Sequence, residues 1–348
     1  MRRWNGKLTC GLALSGLLTF CALFADFLAP YPYAEQHRDH PFAPPVRVHL
    51  ADGGRPFVYA LQSAGVEQKR YTEDRNQAFP IRFFVEGESY LLLGLIPCRT
   101  HLFSVEEPAR IFLLGTDALG RDIFSRLLYG ARFSLTIAAI ALLFSLPLAL
   151  AIGGIAGFYG GAADFIGMRL IELFLALPAL YLIVALRSAL PLDIEPAQVF
   201  LAMGAVVALF GWASLARIVR GLTLSLRERE FVVAATALGA SSIRILGRHI
   251  LPQLAGTALV QASLAAPGFM LAEVTLSYLG LGVPEPLPSW GTMLAGVQSV
   301  SLLATYWWNL APAAALFAAS LAFHLLAEGL KETFDPHAQT IESSGNFL

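Results

Sequence analysis

Long apolar runs separated by shorter polar segments dominate the chain. Six of these runs approach or exceed 20 residues, about the length that an α-helix needs to cross the ~30 Å hydrocarbon core of a bilayer. We place them at residues 8–29, 133–157, 164–190, 197–221, 254–281 and 308–330. The pattern predicts an all-α polytopic membrane protein with six transmembrane helices.

Residues 31–110 have a different pattern. Several prolines open the segment, and short strand-like runs follow at 47–50, 57–61, 81–85 and 90–95. The segment therefore predicts a small β-rich insertion between the first two spans. Within it, the run from His37 to His40 is more typical of a solvated loop than of a metal site, which needs three or four ligands in a fixed geometry.

The segment 123–132 places apolar residues on one helical face and Arg126 and Arg132 opposite. This arrangement predicts an interfacial helix that leads into the second span. We accordingly divide the chain into an N-terminal tip with the first helix (1–30), the insertion with the interfacial helix (31–132), a five-helix core (133–330) and a tail (331–348).

Charge sets the predicted orientation. The loop 222–253 and its approaches carry six arginines, whereas the segment 282–307 contains neither lysine nor arginine. The positive-inside rule therefore places loop 222–253, and with it both termini, in the cytoplasm, and the insertion outside. A cleaved signal peptide is the alternative interpretation of the basic N-terminus, but residues 8–29 exceed the usual signal core of about 7–15 apolar residues.

Composition narrows the function classes. Of the 348 residues, 56% are hydrophobic and 14% are charged, against about a quarter charged in soluble domains. The net charge of −1 gives no basic field for nucleic acid. Cys10, Cys21 and Cys98 lack metal-ligand spacing and predict no disulfide framework. The sequence has no Gly-rich loop ending in Gly-Lys-Ser/Thr, so it predicts no ATP site in this chain.

Loop 222–253 is a basic, well-punctuated segment between two apolar spans. An apolar face at i, i+3, i+4 and i+7 predicts a short helix, formed by Phe231, Ala234, Ala235 and Leu238. Gly239 can adopt the left-handed conformation that ends a helix, and Ser241 or Ser242 can cap the next one. Pro252 then restarts a helix at the following span.

These residues resemble the EAA loop of ABC-importer permeases. The matching positions are Ala234, Ala235, Gly239, Leu251 and Pro252, while Val233 and His249 depart from the usual Glu and Ile. The strings GTDALGRDIFSRLLYGARFSL, GVPEPLPSWG and KETFDPH also resemble the dipeptide/oligopeptide (peptide/nickel) branch of that family.

The resemblance implies a type I ABC importer permease fold in the bacterial inner membrane, without catalysis or cofactor of its own. In this family the loop docks on the ATPase, which implies coupling roles for Glu230, Phe231, Ala234, Ala235, Leu238, Gly239, Ser241, Arg244, Leu251 and Pro252. The implied partners are a second homologous permease subunit, two ATPase subunits that bind ATP and Mg²⁺, and an extracytoplasmic solute-binding protein. The solute could be a peptide, nickel, a glycoside or a peptide-like antibiotic.

Ionisable residues within spans are functional candidates by default. Glu172, Met270 and Glu273 are our candidates for the translocation path, although Glu172 is also spaced to form an ion pair with Arg169 at i, i+3. His324 and Glu328, at i, i+4, are more typical of a local hydrogen bond than of a proton relay.

Two other function classes are open. A secondary transporter driven by ions predicts paired carboxylates or broken helices in mid-membrane, often with inverted repeats, and we find no convincing repeat. A membrane-embedded enzyme predicts a catalytic constellation, and the sequence offers no Ser/His/Asp or metal set with supporting context.

Overall fold

The computed structural model describes residues 6–51, 54–63, 71–92, 95–178, 181, 184–185 and 196–334. Its helices are α1 (Gly6–Leu23), α2 (Ala25–Leu28), α3 (Ile123–Tyr159), α4 (Gly161–Ala176), α5 (Pro196–Arg227), α6 (Glu230–Ala237), α7 (Ser242–Ile245), α8 (Leu251–Tyr278), α9 (Trp290–Ala295), α10 (Val300–Thr305) and α11 (Ala311–Phe334). A π-helical turn (Leu246–Ile250) precedes α8, and a 3₁₀ turn (Trp307–Leu310) precedes α11.

Five helical segments in the described part of the chain are long and apolar enough to cross a membrane. They are Gly6–Leu23, Ile123–Tyr159, Phe200–Arg227, Ser242–Tyr278 and Trp307–Phe334. They fall on five of the six predicted spans, which confirms a mostly helical, polytopic chain. The remaining prediction, 164–190, is covered by α4 only to Ala176 and otherwise lies largely outside the described residues.

The chain divides into two compact units. The first unit comprises Met1–Ser15, Thr136–Glu273 and Ala318–Leu348, and the second comprises Gly16–Leu135 and Val274–Phe317. The first unit contains most of the helical core and loop 222–253. The second contains all the strands found in the described residues.

Glycines let helices of the first unit cross closely. A Cβ atom at Gly153 would collide with the carbonyl oxygen of Ala216, and one at Gly157 would lie 2.7 Å from that of Arg220. Similarly, a Cβ at Gly11 of α1 would lie 2.5 Å from the backbone nitrogen of Leu326 in α11. Small residues allow this backbone approach in membrane helices, so Gly153 and Gly157 contribute to close helix packing.

The strands form two antiparallel groups in the second unit. β1 (His49–Leu50), β2 (Pro56–Ser63) and β3 (Tyr71–Pro80) make one sheet, and β4 (Arg82–Leu92) pairs with β5 (Ile96–Ser104) as a hairpin. The predicted run at 81–85 and the first half of the run at 90–95 belong to the single strand β4, while residues 93–94 lie outside the described part of the chain. β3 and β5 were not predicted, because β3 is largely polar and much of each strand is solvent-exposed.

An apolar core joins the sheet to the segments before and after it. Val58 of β2, Phe79 of β3 and Phe103 of β5 are buried together with Ile111 and Phe112, which follow the strands. His37 is also buried, its ring 5.0 Å from Tyr31 and 5.3 Å from Phe112 between centroids. The prediction of a solvated loop is therefore wrong for His37, and burial lowers its pKa to about 4.

The separate interfacial helix predicted over 123–132 is not formed. Instead α3 begins at Ile123 and continues without a break to Tyr159. Asp122 caps it, because its carboxylate accepts hydrogen bonds from the backbone nitrogen of Ser125 at 2.8 Å and from the Ser125 hydroxyl at 2.7 Å. Arg126, predicted on an exposed polar face, is only 1% exposed.

Candidate functional site

Two short helices joined by a glycine turn form the centre of loop 222–253. The first, α6, ends at Ala237, and Gly239 follows with φ of +79°. The backbone nitrogen of Gly239 donates to the carbonyl of Thr236 at 3.0 Å, and that of Ala240 donates to the carbonyl of Ala235 at 3.1 Å. The predicted helix end at Gly239 is confirmed, and it turns the chain into α7.

The loop has its own small core within the first unit. Val232 of α6, Ile245 of α7 and Ile250 of the π turn are buried against Val219 and Leu254. Since these residues come from every segment of the loop and from both flanking helices, the loop is held as one packed body.

The predicted apolar face of α6 is divided between this core and solvent. Phe231 and Ala235 pack against the core, while Ala234 is exposed and Leu238 is 88% exposed. Sequence spacing missed Val232 as the most deeply buried position of α6. The helix is only eight residues long, so its inward face is set by the glycine turn and the π turn rather than by periodicity.

Three large apolar side chains of the loop face outward. They are Val233 (60% exposed), Leu238 (88%) and Ile243 (78%), and we call them the exposed loop surface. Large apolar side chains exposed this close together in sequence on a packed loop are candidates for a contact with another protein. Beside them, a cleft of about 640 Å³ opens between the loop and the end of α3, lined by Tyr159, Val233, Ala240 and Ile245 among others.

The remaining predicted coupling residues lie at element ends. Glu230 begins α6, and Arg244 lies in the single turn of α7. Leu251 and Pro252 begin α8 directly after the π turn, but the helical run from Ser242 to Tyr278 is continuous, so the predicted restart at the proline is not seen. Ser241 occupies the position before α7, but its side chain makes no capping hydrogen bond, so the predicted serine cap is not formed there.

Arginine contacts tie the loop's approach to neighbouring helices. Arg220 of α5 pairs with Asp164 of α4, with Nη2 at 2.6 Å from Oδ2. Arg227 donates from Nη1 to the carbonyl of Phe158 at the end of α3, at 3.0 Å. Sequence reasoning missed both contacts, because their partners lie more than 50 residues apart and no local spacing indicates them.

The candidate path residues occupy two helices of the first unit. Glu172 lies on α4, and its carboxylate accepts a hydrogen bond from Arg169 at 2.8 Å, so the predicted ion pair is confirmed. Met270 and Glu273 lie on α8 and are fully buried, each at 0% exposure. Near the end of α11, Glu328 lies 3.0 Å from Nζ of Lys7, a long-range partner that its spacing from His324 did not indicate.

Comparison with known proteins identifies the family. Residues 149–340 match the family described as binding-protein-dependent transport system inner membrane component. The chain belongs to this family. Residues 9–45 also match the N-terminal transmembrane domain of oligopeptide transport permease C.

Individual relatives of the chain support the same family assignment. The chain is 38% identical to the oligopeptide transport system permease protein OppC of Bacillus subtilis over 239 residues, covering 68% of this chain and 76% of OppC. It is 37% identical to the dipeptide transport system permease protein DppC of the same organism, covering 66% and 70%. It is also 37% identical to the glutathione transport system permease protein GsiD of Pectobacterium atrosepticum, covering 66% and 74%.

Proposed function

We propose that this chain is a permease subunit of a peptide ABC importer and that its exposed loop surface receives the movement of separate ATPase subunits. The observation that carries the proposal is a folded loop with its own core that presents Val233, Leu238 and Ile243 outward. The sequence has no P-loop, so energy from ATP has to enter this chain through such a contact. The relatives named for oligopeptides, dipeptides and glutathione favour a peptide as the solute.

The proposed assembly is asymmetric across the membrane. Loop 222–253 and both termini lie in the cytoplasm, in accord with the arginine-rich loop, and the β-rich insertion lies outside with the solute-binding protein. A second homologous permease subunit completes the pathway, and two ATPase subunits bind ATP and Mg²⁺. ATP favours the outward-open form only to the extent that the loop makes different contacts with the ATPase in the two states.

The docking role is tested by placing a charge on the exposed loop surface. Leu238→Asp adds a carboxylate to an 88% exposed position, so the fold of the chain should tolerate it. A charge desolvated in an apolar contact weakens binding strongly, and we expect at least a tenfold loss of affinity for the ATPase subunits, with loss of ATP-driven uptake. Co-purification from detergent and uptake of labelled peptide into vesicles measure the two effects.

Leu50→Asp is the matched control, because Leu50 is 74% exposed but lies in β1. It should co-purify with the ATPase as the wild type does. A Leu238→Asp chain that still binds a fully active ATPase would show that the docking surface lies elsewhere. Wild-type uptake driven by an ion gradient without ATP would instead support a secondary transporter.

A further inference from the structure

Four charged side chains of the second unit meet at one point. Asp117 and Arg121 come from the segment before α3, Arg126 from the first turn of α3, and Glu285 from the loop between α8 and α9. Arg121 donates to Glu285 at 2.6 Å and to Asp117 at 2.7 Å. Arg126 donates from Nη2 to Oε1 of Glu285 at 3.2 Å. The Glu285 carboxylate is therefore held by two arginines at once.

The two arginines and the glutamate differ in how firmly they are fixed. Arg126 is 1% exposed and also donates to the carbonyls of Tyr33 and Pro286, at 3.2 and 3.4 Å. The Arg121 side chain is 12% exposed and is held by Asp117. The Glu285 side chain, in contrast, is 50% exposed, in a loop rich in proline and glycine. The two arginines are therefore far more deeply buried than the carboxylate that they hold.

Glu285 does not satisfy every hydrogen-bond donor of the two arginines. Nε of the buried Arg126 has no hydrogen-bond partner, and its distance of 4.0 Å to Asp117 is too long for one. A cavity of about 60 Å³ adjoins it, lined by both arginines and by Thr292 and Asn309 among others. Such a volume holds only a few water molecules, which is about the room that one carboxylate group needs.

We infer that Arg121 and Arg126 form a binding site for a carboxylate on the solute-binding protein and that Glu285 occupies this site when the partner is absent. The inference rests on the proposed function, which places the insertion, with Asp117 and Arg121, on the outer side of the membrane with that partner. The small cavity favours a carboxylate at the end of an aspartate or glutamate side chain of a protein over a free peptide. Two arginines beside each other suit bidentate recognition of such a group.

Two substitutions with opposite effects test the site. Glu285→Gln removes the competing internal carboxylate, so the binding protein should bind the complete transporter about threefold more tightly at low salt. Arg121→Gln removes half of the site, so binding should weaken by about tenfold. Affinity is measured with the complete complex in nanodiscs against the immobilised binding protein.

The pair Arg110 and Glu107 provides matched controls, because it is an exposed ion pair of the same unit at 2.8 Å. Arg110→Gln and Glu107→Gln should leave the affinity unchanged. If Glu285→Gln and Arg121→Gln shift the affinity in the same direction, or not at all, the cluster is an internal clamp and the inference is wrong.

A second measurement needs no substitution and decides the question if a variant fails to co-purify with its partner subunits. Sodium acetate should weaken binding to the wild-type transporter more than sodium chloride at equal ionic strength, because acetate competes for the arginines. Equal effects of the two salts would overturn the inference while leaving the proposed function intact. A wild-type transporter that does not bind the binding protein at all would overturn both.

Discussion

At the residue scale, Asp122 has an unusual environment for a helix cap. It is 3% exposed, and its Oδ1 atom has no hydrogen-bond partner, while Oδ2 accepts from Ser125. Burial raises the pKa of Asp122 from 3.8 to about 7, against the hydrogen bonds from Ser125, which lower it. The folded state therefore retains a proton that the unfolded chain loses at lower pH.

This difference predicts a pH-dependent stability. The raised pKa of Asp122 stabilises the folded state in full at pH values below the unfolded pKa of 3.8. This stabilisation is lost as the pH rises towards about 7. Asp122→Asn keeps an acceptor for Ser125 but cannot ionise. The difference between its melting temperature and that of the wild type should therefore increase from about pH 4 to 7 and stay constant above pH 7. The increase should be roughly 2–4 °C for each kcal/mol of folding stability that the wild type loses over this range.

Thermal unfolding of the purified protein in detergent, recorded across this pH range, measures the effect. Asp39→Asn, at an exposed position of the segment between α2 and β1, is the control and should give a flat difference. A pH-independent difference for Asp122→Asn would contradict the assignment of a retained proton to Asp122.

At the element scale, substitutions can test the backbone conformation of Gly239 separately from its small size. Its φ of +79° is accessible to glycine, tolerated by asparagine and unavailable to proline. There is room for a side chain, because no other group lies within 4 Å of the position that a Cβ atom would take. Gly239→Asn should therefore retain ATP-driven uptake, and Gly239→Ala should destabilise the turn by about 1–2 kcal/mol. Gly239→Pro should abolish uptake while membrane insertion persists.

Uptake into vesicles and co-purification of the ATPase rank the three variants. Full uptake by Gly239→Pro would show that coupling does not need this turn. A charge at Ala235 is a less direct probe, because Ala235 packs against the core of the loop. Ala235→Arg would disturb the loop itself as well as a docked partner.

Elements differ in how far sequence could predict them. The spans could be predicted because each one depends on a continuous apolar run, and Gly239 because its role is local. Strand β3 could not, since its residues are mostly polar and do not show the apolar alternation that indicates a strand. The ion pairs of Arg220 and Lys7 depend on which helices cross, and no short-range spacing encodes that.

At the scale of the whole molecule, the insertion is bound into the second unit rather than appended to it. The backbone nitrogen of Phe42 donates to the carbonyl of Asp117 at 2.9 Å, and that of Ala43 donates to the Thr116 hydroxyl at 2.7 Å. Val46 donates to the carbonyl of Phe112 at 2.9 Å. Deleting all of residues 35–105 would remove these contacts and destabilise the unit, so a shorter deletion is the sharper test.

The β4–β5 hairpin offers that deletion. Glu86 pairs with Thr100, so residues 87–99 can be replaced by Asn-Gly, which suits a two-residue hairpin turn. The change removes three exposed apolar side chains, Leu91 (57%), Leu95 (82%) and Ile96 (54%), and keeps the buried Phe103. If this tip contacts the binding protein, its affinity for the transporter should fall about tenfold.

The readout is ATPase activity of the complete transporter with and without the binding protein. Stimulation by the binding protein should decrease much more than the basal rate, because the hairpin lies in the second unit and the exposed loop surface lies in the first. Equal loss of both rates would mean that the hairpin is needed for folding. Unchanged stimulation would place the contact elsewhere on the insertion and leave the two-arginine site as the remaining candidate.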